Sequence, residues 1–140
     1  MDFKLELVVV PVSDVGRAKD FYVDQVGFEV HVDFKRDEDF RVVQLHPKGS
    51  GCSISIGTGI SAMEPGSLKG LHLVVTDIVA AREELVGRGV PASEPYHFGP
   101  EGQQPGLDPN RASYGTFLDF ADPDGNLWLV QEVTVPTPRD

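Results

Sequence analysis

Few side chains in this sequence of 140 residues are able to move a proton or hold a metal: four histidines, one cysteine, and a scatter of carboxylates and amides. His72 sits in a strand-like run, LHLVVT, and imidazole is the side chain whose ordinary pKa suits general acid–base work near neutrality. It is the candidate catalytic base. Asp119 is a weaker candidate in the run before a Pro-Gly turn, where a surface carboxylate is the simpler reading. His31, His46 and His97 fall in a strand, a turn and a loop margin, and solvated side chains are expected there. Spacing yields no Ser-His-Asp or Cys-His pairing and no nucleophile elbow. The Gly57–Gly59 run lacks the rest of a phosphate-binding fingerprint and reads as a strand exit. Cys52, within CSISIG, has no disulfide or CxxC partner and reads as a small strand residue.

The elements that must position these groups belong to an ordinary globular chain, 40% apolar and 24% charged. That length suits a single domain, residues 1–140, built of two modules at about 1–62 and 63–140. The 22 acidic and 12 basic residues give a net charge of −10, which disfavours nucleic acid and anionic membranes as partners. No apolar run approaches the roughly 18 residues of a spanning helix. MDFKLELVVVPVSD carries Asp2 and Glu6 and no cleavage signature, so the cytoplasm is the expected compartment.

The sequence repeats its layout. VVVPVSDVGRAKDFYVDQVGFEV, from Val8, and LHLVVTDIVAAREELVGRGVPAS, from Leu71, each run from a β-branched stretch through an aspartate and a helical pattern to a glycine. VVQLHPKGSGCSISIG and FLDFADPDGNLWLVQEV then each read as strand, Pro-Gly turn, strand. Asp14 (or Ser13) and Asp77 are suited to cap the two helices. Val15, Ala18, Phe21, Tyr22 and Val26 form one apolar stripe, closed by Gly27; Ile78, Ala81 and Leu85 form the other. Strands are expected at Phe3–Val12, Phe28–Phe34, Arg41–His46, Cys52–Gly57, Ala92–His97, Gly115–Phe120 and Leu127–Val133, besides the run from Leu71. The result is α+β: two βαβββ modules forming a curved eight-stranded mixed sheet, with both helices on the convex face. The stretch His97–Ser113, with three prolines and three glycines, reads as a lid, a partner-binding arm or a plain surface insertion.

PVSDVGRAKDFYVDQVGF resembles the first-helix signature of the vicinal oxygen chelate superfamily, which holds glyoxalase I, bleomycin-resistance proteins and extradiol dioxygenases, and FADPDGNLWLVQEV resembles its last hairpin. With the duplication, the resemblance covers nearly the whole chain. It implies a homodimer, and, in enzymatic members, a divalent cation held by His, Gln or Glu side chains from the first and last strands of each module. Carried over residue by residue, those positions fall on Leu7, Gly70 and Leu129, with Ser53-Ile54-Ser55 in the remaining region. Leucine cannot ligate a cation, glycine offers only its backbone, and the remaining region supplies at best a hydroxyl. Neither a metal nor another cofactor is therefore expected.

A different site is conceivable. His72 and Gln131 lie two residues beyond Gly70 and Leu129, so alternation points each pair to one face, by analogy the cavity; Gln44 is in a neighbouring strand. Glu132 is expected to point oppositely, toward the helices. Phe40, Phe117, Phe120 and Trp128 come from strands that floor or border the cavity, and Tyr96, Phe98 and Tyr114 bracket the long loop, which fits a greasy pocket for a flat or apolar molecule. The expected function is metal-free binding and sequestration of a small organic ligand, with Gln44, His72, Phe120, Trp128 and Gln131 as contacts. Two alternatives stay open: a glyoxalase-like lyase or isomerase with a displaced metal site or with His72 as base, and a non-catalytic interaction domain.

Overall fold

The computed structural model describes residues 1–135. The order of elements is β1 (Leu7–Val9), α1 (Val15–Asp20) running into a π-helical segment (Phe21–Val26), β2 (Glu29–Asp37), β3 (Phe40–His46), β4 (Ser53–Thr58), β5 (Lys69–Val75), α2 (Ile78–Gly87), β6 (Tyr96–Gly99), β7 (Gly102–Pro105), β8 (Thr116–Ala121) and β9 (Leu127–Glu132). The fold is mixed α+β with two sheets, ordered β1-β4-β3-β2 and β5-β9-β8-β6-β7. In each, the first strand of the repeat pairs parallel with the last, and the other pairings are antiparallel. No helix among the described residues is long and apolar enough to cross a membrane.

Two expectations need correction. The first strand is three residues long, because Met1–Glu6 lie exposed, although the Glu6 carbonyl still accepts from the Ser53 N–H at 2.9 Å; Phe3 is 89% and Leu5 68% accessible. The strand count among the described residues is nine, because the His97–Ser113 stretch is not structureless: Gly102 takes φ +100 and turns the chain back as a hairpin, β6–β7.

The described residues divide into two compact units, Met1–Leu68 with Asp122–Asn126, and Lys69–Ala121 with residues 127–135. In the first, the Asp14 carboxylate accepts from the Arg17 N–H at 3.0 Å and caps α1. Val15, Ala18, Phe21 and Tyr22 are buried, and α1 packs on β4 beside Ile54 and Ile56. The Gly27 N–H reaches back five residues to the Tyr22 carbonyl at 2.9 Å, a π-type bond that Gly27 closes at φ +96. The buried Asp122 carboxylate accepts from the Tyr22 hydroxyl at 2.7 Å and from the Asn126 amide at 2.8 Å. Asn126 also donates to the Pro11 carbonyl at 2.8 Å, so the Pro-Gly turn is fastened beneath α1. In the second unit, Asp77 caps α2 by accepting from the Val79 and Ala80 N–H groups. α2 packs on β8 and β9 with Ile78 buried and Ala81 and Leu85 half-buried.

Candidate functional site

The faces of the second sheet follow from its register. His72 (β5), Leu129 (β9) and Asp119 (β8) stand side by side, and the next row is Val74, Gln131, Phe117 and Tyr96. Side chains alternate along a strand, so both rows belong to the face away from α2. On that face, the Tyr96 and Phe117 rings stack at 5.9 Å, with Phe98 edge-on to Phe117 at 5.4 Å and to Tyr96 at 6.0 Å. Phe98 is 58% exposed, leaving its ring open to a further aromatic or apolar group. The Tyr96 hydroxyl donates to Asp119 at 3.4 Å. Burial, reinforced by the Asp119 charge, pushes the Tyr96 phenol above its usual range, so it stays a neutral donor. A hollow of about 310 Å³ opens beside this pair, lined also by Ser93, Pro95, Gln103 and Pro105.

The structure brings some of the sequence-derived site residues to this face and not others. His72 and Gln131 share it; His72 is exposed, and Gln131 donates to the Tyr114 carbonyl at 3.0 Å. Phe120 and Trp128 do not share it. They pair across β8–β9 on the opposite face, stacked at 6.1 Å and buried to 1% and 2% on the α2 side. Their parity, odd by one from Gln131 and Phe117, carried that information in the sequence. Gln44 belongs to the first sheet, opposite Ser55, with its amide 3.4 Å from Glu6.

Glu132 points to the helix layer, as its parity requires. Fully buried, it accepts from the Ile78 N–H at the start of α2 at 3.0 Å. It also accepts two bonds from the Arg111 guanidinium, one from Nε at 2.8 Å and one from Nη2. Arg111 holds its carboxyl below the usual glutamate range. Arg111 itself adopts φ +48, a left-handed conformation uncommon for arginine, to make this contact. Sequence gave no signal for that partnership, since Arg111 lies in the irregular stretch before β8.

A divalent cation does not fit the positions the fold family uses. Leu7 stands beside Ser53, and Leu129 beside His72, while Gly70, at φ +87, forms a bulge at the start of β5. His72 and Asp119 flank Leu129 from its two sides, giving two protein donors where a bound cation takes three or more. The carboxylate of β9, Glu132, is committed to Arg111 on the other face. Among the described residues, no three His, Cys, Asp or Glu side chains come together as a metal requires. Burial raises the Cys52 thiol pKa, which leaves it a poor nucleophile and ligand.

The two parallel-closed sheets, the first-helix segment and the final Pro-Gly hairpin define the architecture of a known superfamily. The profile of the Glyoxalase/Bleomycin resistance protein/Dioxygenase superfamily matches residues 4–130, and the chain belongs to that family. TnmS3, an antibiotic binding protein from Streptomyces sp. CB03234, is similar at 35% identity and TM-score 0.73, with 94% of this chain and 97% of that one covered. A superfamily member from Sphaerobacter thermophilus DSM 20745 is similar at 30% identity and TM-score 0.72, covering 94% and 98%. YetH of Bacillus subtilis (strain 168) is 30% identical over 128 residues, 89% of this chain and 94% of its own.

Proposed function

We propose that this protein binds and sequesters a flat apolar or aromatic organic molecule without a metal, as a cytoplasmic homodimer. The observation that carries the reading is the Tyr96–Phe98–Phe117 ring cluster on the open face of the second sheet, next to Leu129, which stands where the fold family would place a cation ligand. Hydrocarbon there favours desolvation of a ligand over chelation. The Tyr96 hydroxyl, Asp119 and Gln131 are the polar groups available to orient it. Likeness to an antibiotic binding protein supports small-molecule binding. The dimer is supported by the fold family and by the exposed Val30, Val32 and Phe34 of the edge strand β2. A general base at His72 is less favoured, because no hydrogen-bond partner among the described residues orients its ring.

The test uses 8-anilinonaphthalene-1-sulfonate and 1,4-dihydroxyanthraquinone with the full chain. Binding is expected to raise the melting temperature, and Phe117→Ala to weaken it about 10-fold. Metal analysis of protein purified without chelators is expected to give well under one divalent ion per chain. A stoichiometric tightly held ion, or probe affinity unchanged by Phe117→Ala, would overturn the reading.

A further inference from the structure

The open face of the first sheet holds an arrangement that spacing alone did not reveal. His46, the last residue of β3, places Nδ1 at 2.7 Å from the Ser53 hydroxyl oxygen at the start of β4. Its Nε2 lies 2.6 Å from the Ser50 carbonyl oxygen. A carbonyl only accepts, so Nε2 carries the hydrogen, and in the neutral ring Nδ1 is the acceptor facing the Ser53 O–H. Nucleophile, base and the group that orients the base are thus linked by hydrogen bonds, with the Ser50 carbonyl in the orienting role. The His31 ring stacks on His46 at 4.5 Å and an interplanar angle of 12°, fixing the second dimension of the ring's orientation. Ser53 is 4% exposed and His46 half-buried, so the pair is largely withdrawn from bulk water.

Gln44 completes the set. It lies two residues before His46 on β3 and therefore on the same face, opposite Ser55 and diagonal to Ser53. Its Nε2 donates a long 3.4 Å hydrogen bond to the Glu6 carboxylate, weak enough to be exchanged for a developing oxyanion.

We propose that Ser53 is an activated nucleophile with His46 as its general base, and that this face transfers acyl groups from activated esters to water. Ser53 Oγ attacks the acyl carbon while its proton passes to His46 Nδ1. The bond to the leaving alcohol breaks, and that oxygen takes the proton from Nδ1. Water then attacks the acyl-serine through the same base, releasing the carboxylic acid and regenerating Ser53. The residues involved share none with the aromatic face of the second sheet, so this activity stands or falls independently of ligand binding there.

The experiment treats the full chain with a fluorophosphonate, whose P–F bond breaks as Oγ–P forms and HF leaves, and reads intact mass and the modified peptide. A single adduct on Ser53 is expected. Ser53→Ala removes it, and His46→Gln, which keeps a donor for the Ser50 carbonyl, slows it about 100-fold or more at an unchanged melting temperature. With p-nitrophenyl acetate, Gln44→Ala is expected to slow nitrophenolate release about 10-fold or more. No adduct, an adduct elsewhere, or His46→Gln protein labelled as fast as the parent would overturn the proposal.

Discussion

β4 and β9 hold the same place in the two repeats, each closing its sheet against the repeat's first strand in parallel. Their helix-facing residues match in kind: Ile54 and Ile56 in one, Trp128 and Val130 in the other, all nearly inaccessible. Their other faces do not match. β4 presents Ser53 and Ser55, joined by His46 and Gln44 of β3, whereas β9 presents Leu127, Leu129 and Gln131, joined by Phe117. Packing against a helix favours hydrocarbon in both units, the paired Glu132 excepted, while the opposite face is under no such demand. One backbone plan thus yields a polar hydrogen-bonded face and an aromatic one.

The helices differ in the same instructive way. α1 with its π-helical extension buries Val15, Ala18, Phe21 and Tyr22, whereas α2 fully buries Ile78 alone and is held at its start by the Glu132 carboxylate. The first is secured by area removed from water, the second by a buried charge at a helix N-terminus.

The largest effect expected from breaking this pattern is at Trp128. Trp128→Ala removes a 2%-exposed ring from the α2 side and should cost about 3–5 kcal/mol, read by denaturant unfolding, with a melting temperature lower by about 10 °C. An equal loss from Phe117→Ala would blur the distinction between the two faces. Glu132→Ala should cost about 3 kcal/mol, the low end for a broken buried pair, because Arg111 is left 40% exposed and free to hydrate. Since Arg111 lowers the Glu132 pKa in the folded state, this contribution is present above the ordinary glutamate value. It fades as pH falls through the depressed one, and the acid limb of an unfolding curve should be shallower in the variant. The smallest effect belongs to the first unit. Asp33, between Arg41 at 2.9 Å and Lys19 at 2.8 Å, is held down to about 2. Its ion pairs are partly exposed and screened, so Asp33→Asn should cost no more than about 1 kcal/mol at neutral pH. That difference should vanish as pH falls from the ordinary aspartate range through 2.

The βαβββ duplication was legible because caps, apolar stripes and Pro-Gly turns are local signals: Asp14, Asp77, Gly27 and Asp122–Asn126 each do what their types dictate within a few residues of chain. The orientation of Glu132 was legible too, since period-2 alternation carries it. Phe120 and Trp128 were expected at the ligand because aromatic type was given weight over parity. The β6–β7 hairpin escaped because GPEGQQP has neither strand alternation nor β-branched residues, and only the pairing with β6 makes Gly102–Pro105 a strand.

Sequence by itself determined the family, the architecture, and which positions of this chain lack cation-binding side chains, since these depend on residue type and on distances of a few residues. Tertiary structure alone decided which rings cluster, that Arg111 answers Glu132 across 21 residues, and that His46 meets Ser53 across a turn. Those meetings depend on strand register and on the path of loops, which are set by the packing of the whole chain and not by any stretch of it read in isolation.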